Sequence, residues 1–272
     1  MASMAEEGDP FSTFLEIADN IDTNECKRGR RAVCDSCRRP STVCWCPFLP
    51  REPLDIRTTI YILQHPFEES RCLRTVPILC RSIVKDRVHV IRGKKFPAAK
   101  YPGLTDILRS PNTILLYPGP DAVDLSEVSL LDCGSASEGG NYQSYNVIIL
   151  DGTWAQARGL YHQNEMLHWP RKAQIQYGEK SKYVIRTQPT DSALSTLETA
   201  AVAISILEDR PDIVEILTRP LEALCDFQLL HGAVKHQSRE YKIENGLWTK
   251  PLPRSTLRRL QKLRTDGERN TL

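Results

Sequence analysis

No stretch of this sequence approaches the ~20 consecutive apolar residues that cross a bilayer, so no membrane span is expected among its 272 residues. The N-terminus, MASMAEEGDPFSTFLEIADNIDTNE, lacks a basic region ahead of an apolar core and lacks the Arg-rich, acid-poor character of a transit peptide. Both absences place the chain where thiols stay reduced, in the cytoplasm and/or the nucleus. Nine cysteines in that setting do not read as a disulfide framework. An internal repeat is also missing, which excludes solenoids and propellers.

Net charge is small, +2 at pH 7, but unevenly spread. Residues 1–25 hold seven acidic residues and no Lys or Arg, leaving an excess of nine positive charges on the remainder. Arg239 to Leu272 alone contains nine basic and four acidic residues, a stretch able to attract phosphates. A solvated basic tail explains it equally well. The short basic run Arg28-x-Arg30-Arg31 is a weak nuclear-import signal.

Four cysteines cluster as Cys34-x-x-Cys37 and Cys44-x-Cys46. Thiolates at this spacing surround one tetrahedral Zn²⁺, and an all-cysteine shell leaves no open position, so the ion would be structural. A four-cysteine set also suits an iron–sulfur cluster; zinc is the reading adopted. Cys72, Cys80, Cys133 and Cys225 read as packing residues, and Cys26 falls outside the spacing.

Apolar runs predict strands over Arg57–Gln64, Val88–Ile91, Asn112–Tyr117 and Asn146–Leu150, with further strands at Lys172–Gln176 and Tyr183–Arg186. The continuous runs at 114–116 and 147–150 suit strands covered on both faces. Helices are expected over Ser70–Val84 around Pro77, from Thr153 to Gln163, over Ser195–Glu208, and over Pro211–His231 with a break at Pro220. A short helix is expected near Phe11–Ile17, and Asp132–Tyr145 reads as a loop. The alternation gives an α/β layered sheet. The domain reading is an acidic leader (1–30), a four-cysteine zinc-binding segment (31–53), an α/β domain (54–234) and a basic tail (235–272).

Three segments place polar groups where such sheets bind ligands, at the carboxyl ends of strands. Leu116-Tyr117-Pro118-Gly119 is a strand end broken by Pro and Gly. Asp151-Gly152-Thr153-Trp154, with Gln156 and Arg158 following, brings a carboxylate to the end of a buried strand; the bland alternative makes Asp151 a helix N-cap. Ser195-Thr196-Leu197-Glu198 matches a capping box, and its helix N-terminus could also receive a carboxylate.

Asp151-Gly152-Thr153-Trp154 together with Ser195-Thr196-Leu197-Glu198 resembles the DTW-domain family of tRNA-uridine aminocarboxypropyltransferases, and within it the second of the two animal paralogues. The four-cysteine knot, Gln64-His65-Pro66-x-Glu68, Leu115 to Gly119, and Tyr183-x-x-Arg186-x-x-Pro189 match in order. One departure is Arg74-Thr75, where bacterial relatives carry Asn before the Thr. The resemblance implies a SPOUT-like fold with a C-terminal topological knot, which periodicity does not reveal.

It also implies the chemistry. Uridine N3, in a tRNA D-loop, would displace 5′-methylthioadenosine from the side-chain carbon of S-adenosylmethionine (SAM), which calls for orientation and a general base. Asp151 is the expected base, with Glu198 as a second catalytic carboxylate or a partner of the SAM amino group. Leu116, Tyr117, Pro118, Gly119, Asp151, Gly152, Thr153, Trp154, Ser195, Thr196 and Glu198 are the expected SAM-binding set. Trp154 would stack on a base or simply pack in the core. His65, Arg74, Arg158 and Arg186 would face the substrate or tRNA phosphates. The partners implied are tRNA and SAM, with neither a membrane nor DNA, and the chain is taken as a monomer. Two alternatives share the features: a SPOUT-type SAM-dependent RNA methyltransferase, and a non-catalytic zinc-containing RNA-binding module.

Overall fold

Residues 32–131 and 144–251 are described in the computed structural model. The acidic leader with its expected short helix, Cys26, the 28–31 basic run, Cys133, most of the 132–145 loop and the tail beyond 251 lie outside the described residues. The chain divides into two compact units, one ending at Cys44 and one beginning at Trp45.

In the first unit a tight reversal follows Cys34. Arg38 donates its amide to the Cys34 carbonyl (2.9 Å) and the Cys34 amide donates to the Arg39 carbonyl (2.8 Å). Arg38 takes a left-handed φ of 60° to make this turn. Val33 then bridges Pro40 antiparallel, and a 3-10 turn covers Ser41–Val43.

The second unit is built on six strands: β1 (Thr59–Gln64), β2 (Val88–Arg92), β3 (Thr113–Leu116), β4 (Val123–Asp124), β5 (Asn146–Asp151) and β6 (Arg171–Gln174). They form one sheet in the order β2-β1-β5-β3-β6-β4, and every pairing is parallel. Among the described residues seven α-helices accompany it: α1 (Val76–Ser82), α2 (Pro102–Arg109), α3 (Leu125–Leu131), α4 (Trp154–Gln163), α5 (Thr196–Glu208), α6 (Asp212–Leu230) and α7 (Arg239–Glu244). Among the described residues no helix is long and apolar enough to cross a membrane.

Alternation along the central strands feeds two cores. Leu63, Leu115 and Ile148 pack on one face with Phe96, Leu104, Leu108, Leu160 and Leu167. On the other, α5 packs against β5, α6, α3 and α1. Leu197, Ala200, Ala201, Ala203 and Ile204 are fully buried there, because α5 is enclosed nearly all round. At its far end Glu208 accepts the Thr58 amide (2.7 Å), tying α5 to the start of β1.

The α/β sheet is as expected, with three local corrections. Tyr183–Arg186 forms turns instead of a strand. The Glu198 carboxylate takes the Lys182 amide (2.6 Å), and Val184 donates to the Lys182 carbonyl (2.9 Å), which bends the chain out of any ladder. Pro220 does not break α6, which stays continuous around it while Leu217, Leu221 and Leu224 keep that face buried. Cys72 is exposed where packing was expected; Cys225 is buried, and its thiol is pushed up to about 11 chiefly by desolvation.

Candidate active site

Because all strands run parallel, the ends of β1, β3, β5 and β6 open onto one edge of the sheet, where loops can converge on a ligand. Asp151 ends β5 in register with Gln64 at the end of β1. It is buried, and both oxygens are held: Gln64 Nε2 donates to Oδ2 (2.8 Å) and the Thr196 hydroxyl donates to Oδ1 (2.6 Å). Asp151 is therefore not the cap of the following helix. Thr153 caps α4 in a closed box with Gln156, accepting the Gln156 amide (3.3 Å) while Gln156 Oε1 accepts the Thr153 amide (2.7 Å). This leaves the Asp151 carboxylate turned toward Thr196. Gly152 sits so close to Gln156 that an added Cβ would lie 3.0 Å from the Gln156 Cβ.

Two cavities meet at this point. The first, about 340 Å³, is walled by Leu116, Tyr117, Pro118, Ile149, Leu150, Ala173, Ile175, Ala193 and Leu194, with the hydroxyls of Thr190, Ser192, Thr196 and Thr199. The second, about 250 Å³, is polar and holds Glu68, Arg74, Asp151, Arg186 and Gln188. Gly152, Trp154, Leu194 and Thr196 line both. Trp154 is 52% exposed, so it forms the rim shared by the two cavities and is not a core residue.

The expected site residues thus divide. Leu116, Tyr117, Pro118, Gly152, Trp154 and Thr196 face the first cavity; Arg74, Asp151, Thr153, Arg186 and Ser195 face the second. Gly119 lies beyond the lining, beside the Lys172–Asp121 ion pair (2.7 Å). His65 caps the Pro66–Glu68 turn, its Nδ1 accepting the Phe67 amide (3.3 Å); burial, with Lys94 nearby, lowers its pKa and favours neutral imidazole. Arg158 is exposed on α4. Glu198 lies behind the wall: it closes the capping box with Ser195 (2.8 Å) and takes the Ser181 hydroxyl (2.8 Å) and the Lys182 amide (2.6 Å). Its geometry fixes the 181–182 turn from within the first turn of α5.

Sequence reasoning assigned no role to Glu68, although it stood in the Gln64 to Glu68 block. It is 3% exposed, and its Oε1 has no hydrogen-bond partner. Arg71 Nε forms an ion pair with that oxygen at 3.0 Å, and Arg186 Nη2 stands 3.9 Å away. The available signal was a carboxylate one turn past a buried strand end, beyond Gln64, the residue in register with Asp151.

The Sγ atoms of Cys34, Cys37, Cys44 and Cys46 lie within 4.8 Å of one another, with Cys37 and Cys44 3.6 Å apart. Tetrahedral coordination at a Zn–S distance of about 2.3 Å sets sulfurs about 3.8 Å apart. The donor set therefore fits a metal. The Cys34 thiol is lowered to about 6, mainly by the Cys37 backbone amide and then by the Cys44 thiol, which favours the ligating thiolate.

Residues 31–229 match the DTW domain. The chain belongs to the DTW-domain family. Over 271 residues it is 42% identical to the macaque (Macaca fascicularis) tRNA-uridine aminocarboxypropyltransferase 2, covering 96% of this chain and 88% of the relative. The mouse (Mus musculus) protein of the same name is 46% identical across 86% of this chain and 76% of its own. An Arabidopsis thaliana tRNA-uridine aminocarboxypropyltransferase A is 29% identical across 73% of this chain and 81% of its own. No solved structure matches. The strand-end carboxylate, the glycine beside it and the rim tryptophan all lie within the matched residues.

Proposed function

We propose that this chain transfers the 3-amino-3-carboxypropyl group of SAM to N3 of a uridine in tRNA, in the D-loop, releasing 5′-methylthioadenosine. The observation that carries this reading is the buried Asp151 carboxylate at the junction of a largely apolar cavity and a polar one. The relatives' names supply the reaction class.

The first cavity suits an adenosine: apolar walls from two strand ends, hydroxyls for polar edges, and the Trp154 indole at the rim for stacking. The second suits the charged amino-acid portion and the incoming uracil. SAM supplies a sulfonium-activated carbon, so the protein has to choose which carbon faces N3 and to remove the N3 proton. Asp151 takes that proton. Each of its oxygens already accepts one hydrogen bond and keeps a lone pair, so Gln64 and Thr196 aim the carboxylate without saturating it. Glu198, the second catalytic carboxylate expected from the family, acts in this reading by holding the wall. Arg74 and Arg186 face the carboxylate of SAM or a tRNA phosphate.

A structural zinc at the four cysteines and a C-terminal knot belong to the same proposal. The chain leaves β6 beside β3 on one side of β5. The Tyr183 hydroxyl then bonds the Leu73 carbonyl, in the loop after β1 on the other side, before α5 returns to Asp151. That crossing over the strand ends supports a threaded topology.

The test is to incubate the protein with unmodified tRNA and SAM, then to analyse nucleosides and small products by mass spectrometry. Aminocarboxypropyl-uridine with methylthioadenosine is expected. Methylated nucleoside with S-adenosylhomocysteine would replace this reading by the methyltransferase one.

A further inference from the structure

Phe67 is a large apolar side chain left 62% exposed close to the strand-end carboxylate. Gln64 is in register with Asp151 on one side and with Arg92 on the other, so the ends of β5, β1 and β2 form one row. Two strand spacings, about 10 Å, span that row. His65, next to Gln64, donates its amide to the Asp151 carbonyl (2.9 Å), and its ring meets the Phe67 ring in a T-shaped contact at 5.2 Å.

The loop after β2 brings positive charge to the same place. Arg92, Lys94 and Lys95 are all exposed, and Lys94 Nζ lies over the Phe67 ring, 4.8 Å from its centroid. Arg92 is paired with Glu69 (2.5 Å), whereas among the described residues neither lysine has an ion-pair partner. The backbone that carries these lysines is clamped. Buried Asn164 accepts the Phe96 amide at Oδ1 (2.7 Å) and donates from Nδ2 to the Lys94 carbonyl (3.0 Å), 70 positions away. Gly93 donates its amide to the Gln64 carbonyl (3.1 Å), and a Cβ on it would lie 2.9 Å from Phe96 Cε1. A lone exposed aromatic needs no explanation. One flanked by unpaired cations on a fixed loop, in the row that ends at Asp151, has the make-up of a nucleotide-stacking platform.

The geometry points to Phe67 and Lys94 as the docking platform for the tRNA nucleotide beside the target uridine: its base stacks on the phenyl ring, and Lys94 pairs with its phosphate. This rests on the tRNA-modifying reading above and deepens it. Uridine N3 is reachable once uracil leaves its stack, and the neighbouring base, having lost that partner, gains the Phe67 ring in its place. The ammonium over the ring passes to the phosphate as the base arrives, so the cation exchanges one partner for another.

The test measures binding of the full-length chain to an unmodified tRNA transcript by fluorescence anisotropy across a salt series, beside SAM affinity by calorimetry. Phe67→Ala is expected to weaken tRNA by about five- to a hundred-fold, with SAM affinity and the salt slope unchanged. Phe67→Trp should restore tRNA binding, because an indole stacks as a phenyl ring does. Lys94→Gln should lower the salt slope by about one phosphate contact. Unchanged tRNA affinity in Phe67→Ala, while the wild type still forms aminocarboxypropyl-uridine, overturns the platform alone and leaves the ring to a protein partner. A loss that Phe67→Trp does not restore overturns it as well. A wild-type chain that binds no tRNA overturns the tRNA-modifying function itself, and the platform with it.

Discussion

Thr196 donates its hydroxyl hydrogen to Asp151 Oδ1 across 2.6 Å, joining the first turn of α5 to the last residue of β5. The bond spans 45 residues of sequence and fixes the strand-end carboxylate against the helix that walls both cavities. Its partner on the other side is Gln64, so three elements agree on one carboxylate orientation.

Asp151→Asn keeps the shape and removes the base. Its transfer rate should fall by about 10²–10⁴-fold while SAM binding survives, as read by nucleoside mass spectrometry and calorimetry. Thr196→Val removes one hydrogen bond to a charged group, costing about 1.5–3 kcal/mol in urea unfolding, with a smaller loss of rate. An active Asp151→Asn enzyme would remove Asp151 from the chemistry.

Much of this centre was legible because its parts are local. The continuous apolar run 147–150 announced a buried parallel strand, and Ser195-x-x-Glu198 announced a closed capping box, which the structure has. Glu68 was not legible as a site residue. Its burial comes from the 66–68 turn folding against Arg71 and Arg186, the latter 118 positions away, and no periodicity reports that. The 183–186 turn was misread for a similar reason: its aromatic and β-branched residues favour a strand, but Glu198 captures the Lys182 amide. Helix α3 and the two-residue β4 carried too short a pattern to register.

The four-cysteine cluster predicts about one zinc per chain by elemental analysis, lost in Cys37→Ser. Residues 32–44 are too few to bury a core, so chelation should unfold that unit while far-UV circular dichroism of the sheet barely changes. Visible absorbance from bound iron would redirect the assignment to an iron–sulfur cluster.

The described part of the C-terminal segment holds the loop that carries Arg186. His236 donates its amide to Val184 (2.7 Å), Arg239 to Gln188 (2.8 Å) and Glu240 to Pro189 (3.1 Å), and the Ser238 hydroxyl caps α7. A chain ending at Val234 loses all three bonds and should bind SAM several-fold more weakly. A chain ending at Pro251 keeps them. It loses six basic and two acidic residues, so tRNA affinity and its salt dependence should drop while SAM affinity stays. Equal SAM affinity in the two truncations would show that the segment does not support the loop.

Burial of the Glu68 carboxylate should cost stability. Burial raises its pKa above the ordinary 4.5, with Asp151 adding to the rise and Arg71 and Arg186 opposing it. A carboxyl raised in the folded state contributes stability that is fully present below its unfolded pKa and lost as pH rises through the folded value. Glu68→Gln mimics the protonated form, so it should unfold at higher denaturant than wild type at pH 7–8. The gap should close as pH falls below 4.5, where wild-type Glu68 is itself protonated. Arg71, 40% exposed, can be solvated when its partner is neutralised. Denaturant midpoints of both proteins across that pH range provide the check. A glutamine variant less stable than wild type at pH 8 would mean that the Arg71 and Arg186 pairings outweigh desolvation, and that Glu68 is kept for the fold.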